Sequence, residues 1–311
     1  MNPAHVNHAP VNPGPVNPGQ GAHRDTPGPA SGNEATKAPR DSHGLRSQLL
    51  TTSRGTLQLW RRGAGPIVVL LHDLGRSHAS FSPLLAHIPQ SCHACAVDLL
   101  GHGGSSHDVL DFAVAAQATA LDEIFAELQF QHTVLVGHGL GGSVAIRLAA
   151  SAPGRVKKLV LIAAGSYPRK LPWRVSLLRN GAIWNTLGAL GRSARRRCAA
   201  RSLLGDYAFS EEFARSEWMR GGPAWRALGR AFRQNTDSQV ISEMEDLVER
   251  HLEHPTLAVW GTDDASCPVA AARILYQEKP NARFLEIAGG SHAPHEDHPE
   301  IVAELIHEFL E

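Results

Sequence analysis

The sequence predicts an α/β domain: a doubly wound, mostly parallel sheet flanked by helices, with an inserted helical cap. Three observations predict it. Short apolar runs such as Ile67-Val68-Val69-Leu70-Leu71 lack polar alternation, which marks strands covered on both faces. Between such runs lie helical patterns with one apolar face, as in Leu121, Ile124, Phe125 and Leu128. The strand–helix repeat then lapses over residues 166–250, which read as helical. Repeated β–α alternation implies parallel strands joined by crossovers.

The elements follow in order. Residues 1–46 are rich in Pro, Asn, Gly and His, and Pro-Val-Asn-Pro-Gly occurs in tandem at 10–14 and 15–19. Such a tail buries too little apolar area to offset its ordering entropy and is expected to be disordered. Residues 47–165 and 251–311 form the expected core. Its strands are read at Leu57–Trp60, Ile67–His72, Cys95–Asp98, Thr133–Gly137, Leu159–Ala163, Thr256–Gly261 and Phe284–Ala288. A last helix carries Val302, Leu305, Ile306 and Phe309 on one face, with Pro299 suited to its first turn. The cap, 166–250, holds four of the six tryptophans (Trp173, Trp184, Trp218, Trp225) and 15 Lys/Arg against nine Asp/Glu, including Arg195-Arg196-Arg197. Two uses for the aromatics stay open: roofing an apolar pocket, or packing the cap. The arginine run is expected to be solvated.

Bulk properties exclude several classes. A formal net charge of zero gives no pull toward nucleic acid or an anionic membrane. The longest apolar run, Leu159 to Ala164, is far short of the roughly 20 residues that span a bilayer. The N-terminus has no signal-like apolar stretch, so a cytoplasmic location is expected. Cys92-His93-Ala94-Cys95 lacks the second pair of a zinc site, and Cys198 and Cys267 stand alone. His292, His295 and His298 do not share a helix face, and Pro294 argues against a helix there. No metal and no cofactor is expected.

Five short patterns lie at strand ends in chain order. They are His72-Asp73-Leu74-Gly75; Asp98 to Ser105, containing Gly-His-Gly-Gly; Gly137-His138-Gly139-Leu140-Gly141-Gly142; Trp260-Gly261-Thr262-Asp263-Asp264; and Gly290-Ser291-His292. The third lies between a strand-like and a helix-like run, the setting of a strand–turn–helix nucleophile elbow. It also matches the spacing of a dinucleotide-binding turn. That alternative lacks an acidic residue after the next strand, Leu161 to Gly165, and leaves the other four patterns unexplained.

In this order the patterns resemble the α/β-hydrolase superfamily over about residues 50–311. The resemblance implies a triad in the order nucleophile, acid, base. It places the acid at Asp264, with Asp263 as fallback, the base at His292, and the oxyanion-hole amides at Leu74 and Leu140. The carboxylate would fix the imidazole, whose other nitrogen would take a proton from an attacking group.

Two positions depart from the family pattern. Gly139 stands where the nucleophilic serine belongs, and neither Ser143 nor Ser291 is placed to replace it. Removing a triad nucleophile costs on the order of 10⁶ in turnover. Asp73 stands where a glycine is usual; an aspartate tolerates the left-handed backbone such a turn needs, and its charge opposes an oxyanion. The missing hydroxymethyl group is expected to leave room for a water or substrate hydroxyl beside His292. The favoured function is therefore non-covalent general-base chemistry (a lyase, cyclase or water-activating step) by Asp264–His292 on a small, apolar molecule. The alternatives are a non-catalytic binding module and a serine esterase disabled by Gly139. Nothing in the sequence sets the oligomeric state.

Overall fold

The computed structural model describes residues 44–164, 176–189, 222–276 and 279–311. Its centre is an eight-stranded sheet in the order β1-β2-β4-β3-β5-β6-β7-β8. The strands are β1 Arg46–Thr52, β2 Gly55–Arg62, β3 Ile67–Leu71, β4 His93–Asp98, β5 Thr133–His138, β6 Val156–Ile162, β7 Thr256–Gly261 and β8 Ala282–Ile287. β1 and β2 pair antiparallel with each other, as β2 does with β4. From β4 through β3 to β8 every pairing is parallel.

The central strands are apolar on both faces because both faces are covered. Val69 and Leu71 of β3 join Leu135, Leu159 and Leu161 on one side. There they meet Leu121, Ile124 and Phe125 of helix α1 (Val114–Glu127) and Val144 and Leu148 of α2 (Leu140–Ser151). The alternate residues Val68 and Leu70 face Phe81, Leu84, Val302 and Ile306 on the other side. A side-chain period of two thus produces two cores from one continuous apolar run.

The sequence missed β1. Arg-Ser-Gln-Leu-Leu-Thr-Thr is an edge strand with one buried residue, Leu50, so it carries little apolar signal. It begins at Arg46, the last residue of the expected tail, and Leu45 before it is fully buried. Residues 1–43 lie outside the described part, as do Trp173, Trp218 and Arg195–Arg197.

Between β6 and β7 the described chain forms α3 (Gly181–Ala189), α4 (Pro223–Asn235) and α5 (Ser238–His251). Trp184 and Trp225 stack at 4.5 Å and are both buried. Each indole N–H donates to the other's carbonyl, at 2.9 and 3.0 Å. These two tryptophans therefore pack α3 on α4 rather than roof a pocket. Helix α6 (Val269–Tyr276) and α7 (Pro299–Leu310) complete the chain. Pro294 opens a one-turn helix, Pro294–Asp297, instead of excluding one; proline suits a first helical position. Among the described residues, no helix is long and apolar enough to cross a membrane.

Candidate active site

Four strand ends converge. Along the sheet, the connections from β3 diverge, with β4 on one side and β5 on the other. In open α/β sheets, ligands bind beyond the carboxyl ends at such a switch point. Asp73 follows β3, Gly139 follows β5, Asp264 follows β7 and His292 follows β8.

Gly139 occupies the bend between β5 and α2 with φ +50° and ψ −113°. Its N–H donates to the Ile162 carbonyl at 3.0 Å, which ties the bend to β6. The surrounding glycines allow close approach: a side chain on Gly137 would strike the backbone of Gly142, and one on Gly142 would strike Ala164.

His292 and Asp264 meet as the sequence led one to expect. Nδ1 of His292 donates to Asp264 Oδ2 at 2.8 Å. Asp264 is held in turn by the amides of Ser266 and Cys267, both at 2.8 Å on Oδ1. Asp263, the fallback acid, is exposed and bonds to Thr262. Ser143 is buried on α2 and its hydroxyl turns back on the Gly139 carbonyl; Ser291 is exposed and accepts from the Ala293 amide.

The space beside Gly139 overturns one expectation: it is filled. The Asp73 carboxylate lies there, and a Cβ on residue 139 would run into it. Oδ1 of Asp73 accepts from the Leu140 amide at 2.7 Å. Oδ2 lies 3.3 Å from His292 Nε2. A carboxylate thus occupies the place expected for a water or substrate hydroxyl and takes up the Leu140 amide expected to hold an oxyanion. Leu74 follows Asp73 in the same turn. Asp73 also does not take the left-handed backbone expected of it; the positive φ falls on Gly75, at +78°. His72 braces the turn from behind: its Nδ1–H donates to the Asp73 carbonyl at 2.7 Å, and its Nε2 accepts from the Leu99 amide at 3.0 Å.

The electrostatics follow from this sandwich. Asp73 is 7%, Asp264 5% and His292 8% exposed. Burial works against the charged ring, but hydrogen bonds and charge from Asp264 and Asp73 outweigh it and push the His292 pKa up to about 9. Burial likewise opposes charge on Asp73, yet the hydrogen bond from His292 and the nearby rings hold its carboxyl well below the usual range. Carboxyl groups on both sides of the ring favour its protonated form, the reverse of the free base expected of it.

Sequence reasoning did not assign Asp73 or His138 to the site. His138 is fully buried, 5.0 Å from the His292 ring, and its Nε2–H donates to the His292 carbonyl at 3.0 Å. The available signal was the coincidence of two departures: a side chain lost at 139 and a short acidic one gained at 73.

A sequence profile described as the alpha/beta hydrolase fold matches residues 66–299. The chain belongs to the α/β-hydrolase fold family. Among similar proteins is the pimeloyl-acyl-carrier-protein methyl ester esterase of Xanthomonas campestris pv. campestris, 32% identical over 80% of this chain and 96% of that one. An uncharacterized protein of Mycobacterium tuberculosis is 27% identical over 80% of this chain and 76% of its own length. The crystal structure of Cfl2 from Burkholderia cenocepacia superposes with a TM-score of 0.73, at 22% identity, over 88% of this chain and 98% of that one. An α/β-hydrolase fold protein from Burkholderia ambifaria gives 0.70, at 19% identity, over 83% and 96%.

Proposed function

We propose that this chain acts on a small, apolar molecule by proton transfer, with no covalent enzyme intermediate. One observation carries the reading: the Asp73 carboxylate fills the space beside Gly139 and bonds to both the Leu140 amide and His292. The base in this scheme is Asp73. It takes a proton from a substrate carbon or hydroxyl, or from a water, while His292 donates one from Nε2 and Asp264 holds the imidazolium. The proton returns from Asp73 to His292 across their shared bond. Elimination, cyclisation and water addition all need a paired acid and base; Asp73, a weak base beside the charged ring, strengthens as His292 gives its proton to the substrate. The Asp73 carboxylate beside Gly139 disfavours an anionic substrate.

Esterase chemistry of the kind in the Xanthomonas relatives' name, run through a serine acyl-enzyme, needs an attacking oxygen at 139 and a free Leu140 amide. This chain offers neither. The disabled-esterase reading loses support for the same reason, because a serine restored at 139 meets Asp73.

A second reading, a binding module without turnover, is favoured by the closure of the network: both His292 nitrogens and both Asp73 oxygens already have partners. A panel of epoxides, lactones and β-hydroxycarbonyl compounds separates the two. Proton-transfer catalysis predicts steady-state turnover of at least one compound with no initial burst. It also predicts a loss of about 10²–10⁴-fold in both Asp73→Asn and His292→Ala. Turnover unchanged in Asp73→Asn contradicts it. Ligands that raise Tm without any turnover favour the binding module.

A further inference from the structure

The proton-transfer reading leaves His138 unused. It is the residue before the bend, completely buried beneath His292, and its Nδ1 has no hydrogen-bond partner among the described residues. Leaving a buried polar atom unmatched costs free energy, so this nitrogen calls for an explanation. One ring nitrogen each from His138 and His292 and a carboxylate oxygen of Asp73 all lie within 4.8 Å of one another, and all three residues are buried.

We propose that Asp73, His138 and His292 form a binding site for one divalent transition-metal ion of the zinc, cobalt or nickel type. The donor chemistry fits: two imidazoles and one carboxylate suit such ions and disfavour calcium and magnesium. The spacing fits as well. Bonds of about 2.0–2.1 Å in a tetrahedral site put donor atoms roughly 3.3 Å apart, and His292 Nε2 to Asp73 Oδ2 is already 3.3 Å. The His138 nitrogen, within 4.8 Å of the other two donors, has to close on them by side-chain rotation.

The outer partners fit best. Metal-binding histidines usually donate their second N–H to a carboxylate or a backbone carbonyl, which fixes the ring. His292 donates Nδ1–H to Asp264, and His138 donates Nε2–H to the His292 carbonyl. The other oxygen of Asp73 is fixed by the Leu140 amide. Gly139 belongs to the same arrangement, because only a residue without Cβ lets Asp73 reach the two rings. The site is distinct from the His292, His295, His298 spacing in the sequence and shares only His292 with it. Metal binding displaces the His292 Nε2 proton and occupies the Asp73 oxygen, so the metal-bound and proton-transfer forms of the site exclude one another; the binding claim is tested without any substrate.

The test is titration of the untagged, metal-free full chain with Co(II), followed by visible ligand-field absorption and by equilibrium dialysis. The expected result is one equivalent bound with nitrogen-ligand bands. In His138→Phe and in Asp73→Asn the affinity is expected to fall at least about 100-fold, with an unchanged far-UV spectrum. If the phenylalanine variant does not fold, His138→Gln replaces it. Absence of ligand-field bands at one equivalent overturns the proposal. Equal affinity in the variants also overturns it and assigns the binding to other histidines among the 18 of the chain. Failure here with turnover lost in Asp73→Asn leaves the proton-transfer reading standing.

Discussion

Residues 73 and 139 behave as one unit. The Asp73 carboxylate fits only because residue 139 has no side chain, and the Gly139 backbone at φ +50° already disfavours one. Introducing alanine at 139 is expected to destabilise the wild-type fold more than it destabilises an Asp73→Gly background. The coupling expected from a double-mutant cycle in urea denaturation is about 1–3 kcal/mol; strictly additive effects contradict the contact. His292 is the counter-ion of two buried carboxylates. Replacing it with alanine is expected to cost about 3–5 kcal/mol near neutral pH, because Asp73 loses its counter-charge and keeps only the Leu140 amide. A loss below about 1 kcal/mol contradicts the sandwich. At this scale the sequence told half the story. Asp264, His292 and Gly139 sit at motif positions and were legible. The contact between Asp73 and Gly139 joins residues far apart in the chain, and no local pattern encodes it.

At the scale of elements, Asp98 is the buried fastener of the sheet's carboxyl edge. At the end of β4 it accepts from the backbone and the ring of His78 at 2.8 and 2.9 Å, and from the Gly104 amide at 3.1 Å. Burial opposes its charge, but these bonds, with His78 foremost, hold its pKa down at about 2. A depressed carboxyl stabilises the fold above its unfolded pKa, near 3.8, and that stabilisation is lost as pH falls through about 2. Asp98→Asn is expected to flatten the acid side of the stability curve between about pH 4 and 2, as read by urea midpoints. An unchanged slope contradicts the assignment. In the β6–β7 segment, Trp184 stacks between Trp225 and Phe232. Trp184→Ala is expected to cost about 3–5 kcal/mol, seen as a lowered Tm; a neutral effect contradicts the packing role. The strands with unbroken apolar runs were legible because burial on both faces leaves a strong signal. β1 was not, because an antiparallel edge strand keeps its polar residues.

For the whole molecule, doubly wound topology explains why the site lies where it does. The connections diverge on either side of β3, and the centre assembles beyond the carboxyl ends of β3, β5, β7 and β8. Family membership fixes this scaffold without fixing the chemistry run on it. The chemistry rests on which group stands beside residue 139. Intact-mass measurement after exposure to a fluorophosphonate probe addresses that most directly, comparing wild type, Gly139→Ser and the double variant Asp73→Gly/Gly139→Ser. The account predicts a covalent adduct in the double variant alone, because the restored serine can be activated only once the carboxylate is gone. An adduct on the wild type, or on Gly139→Ser with Asp73 still in place, contradicts it.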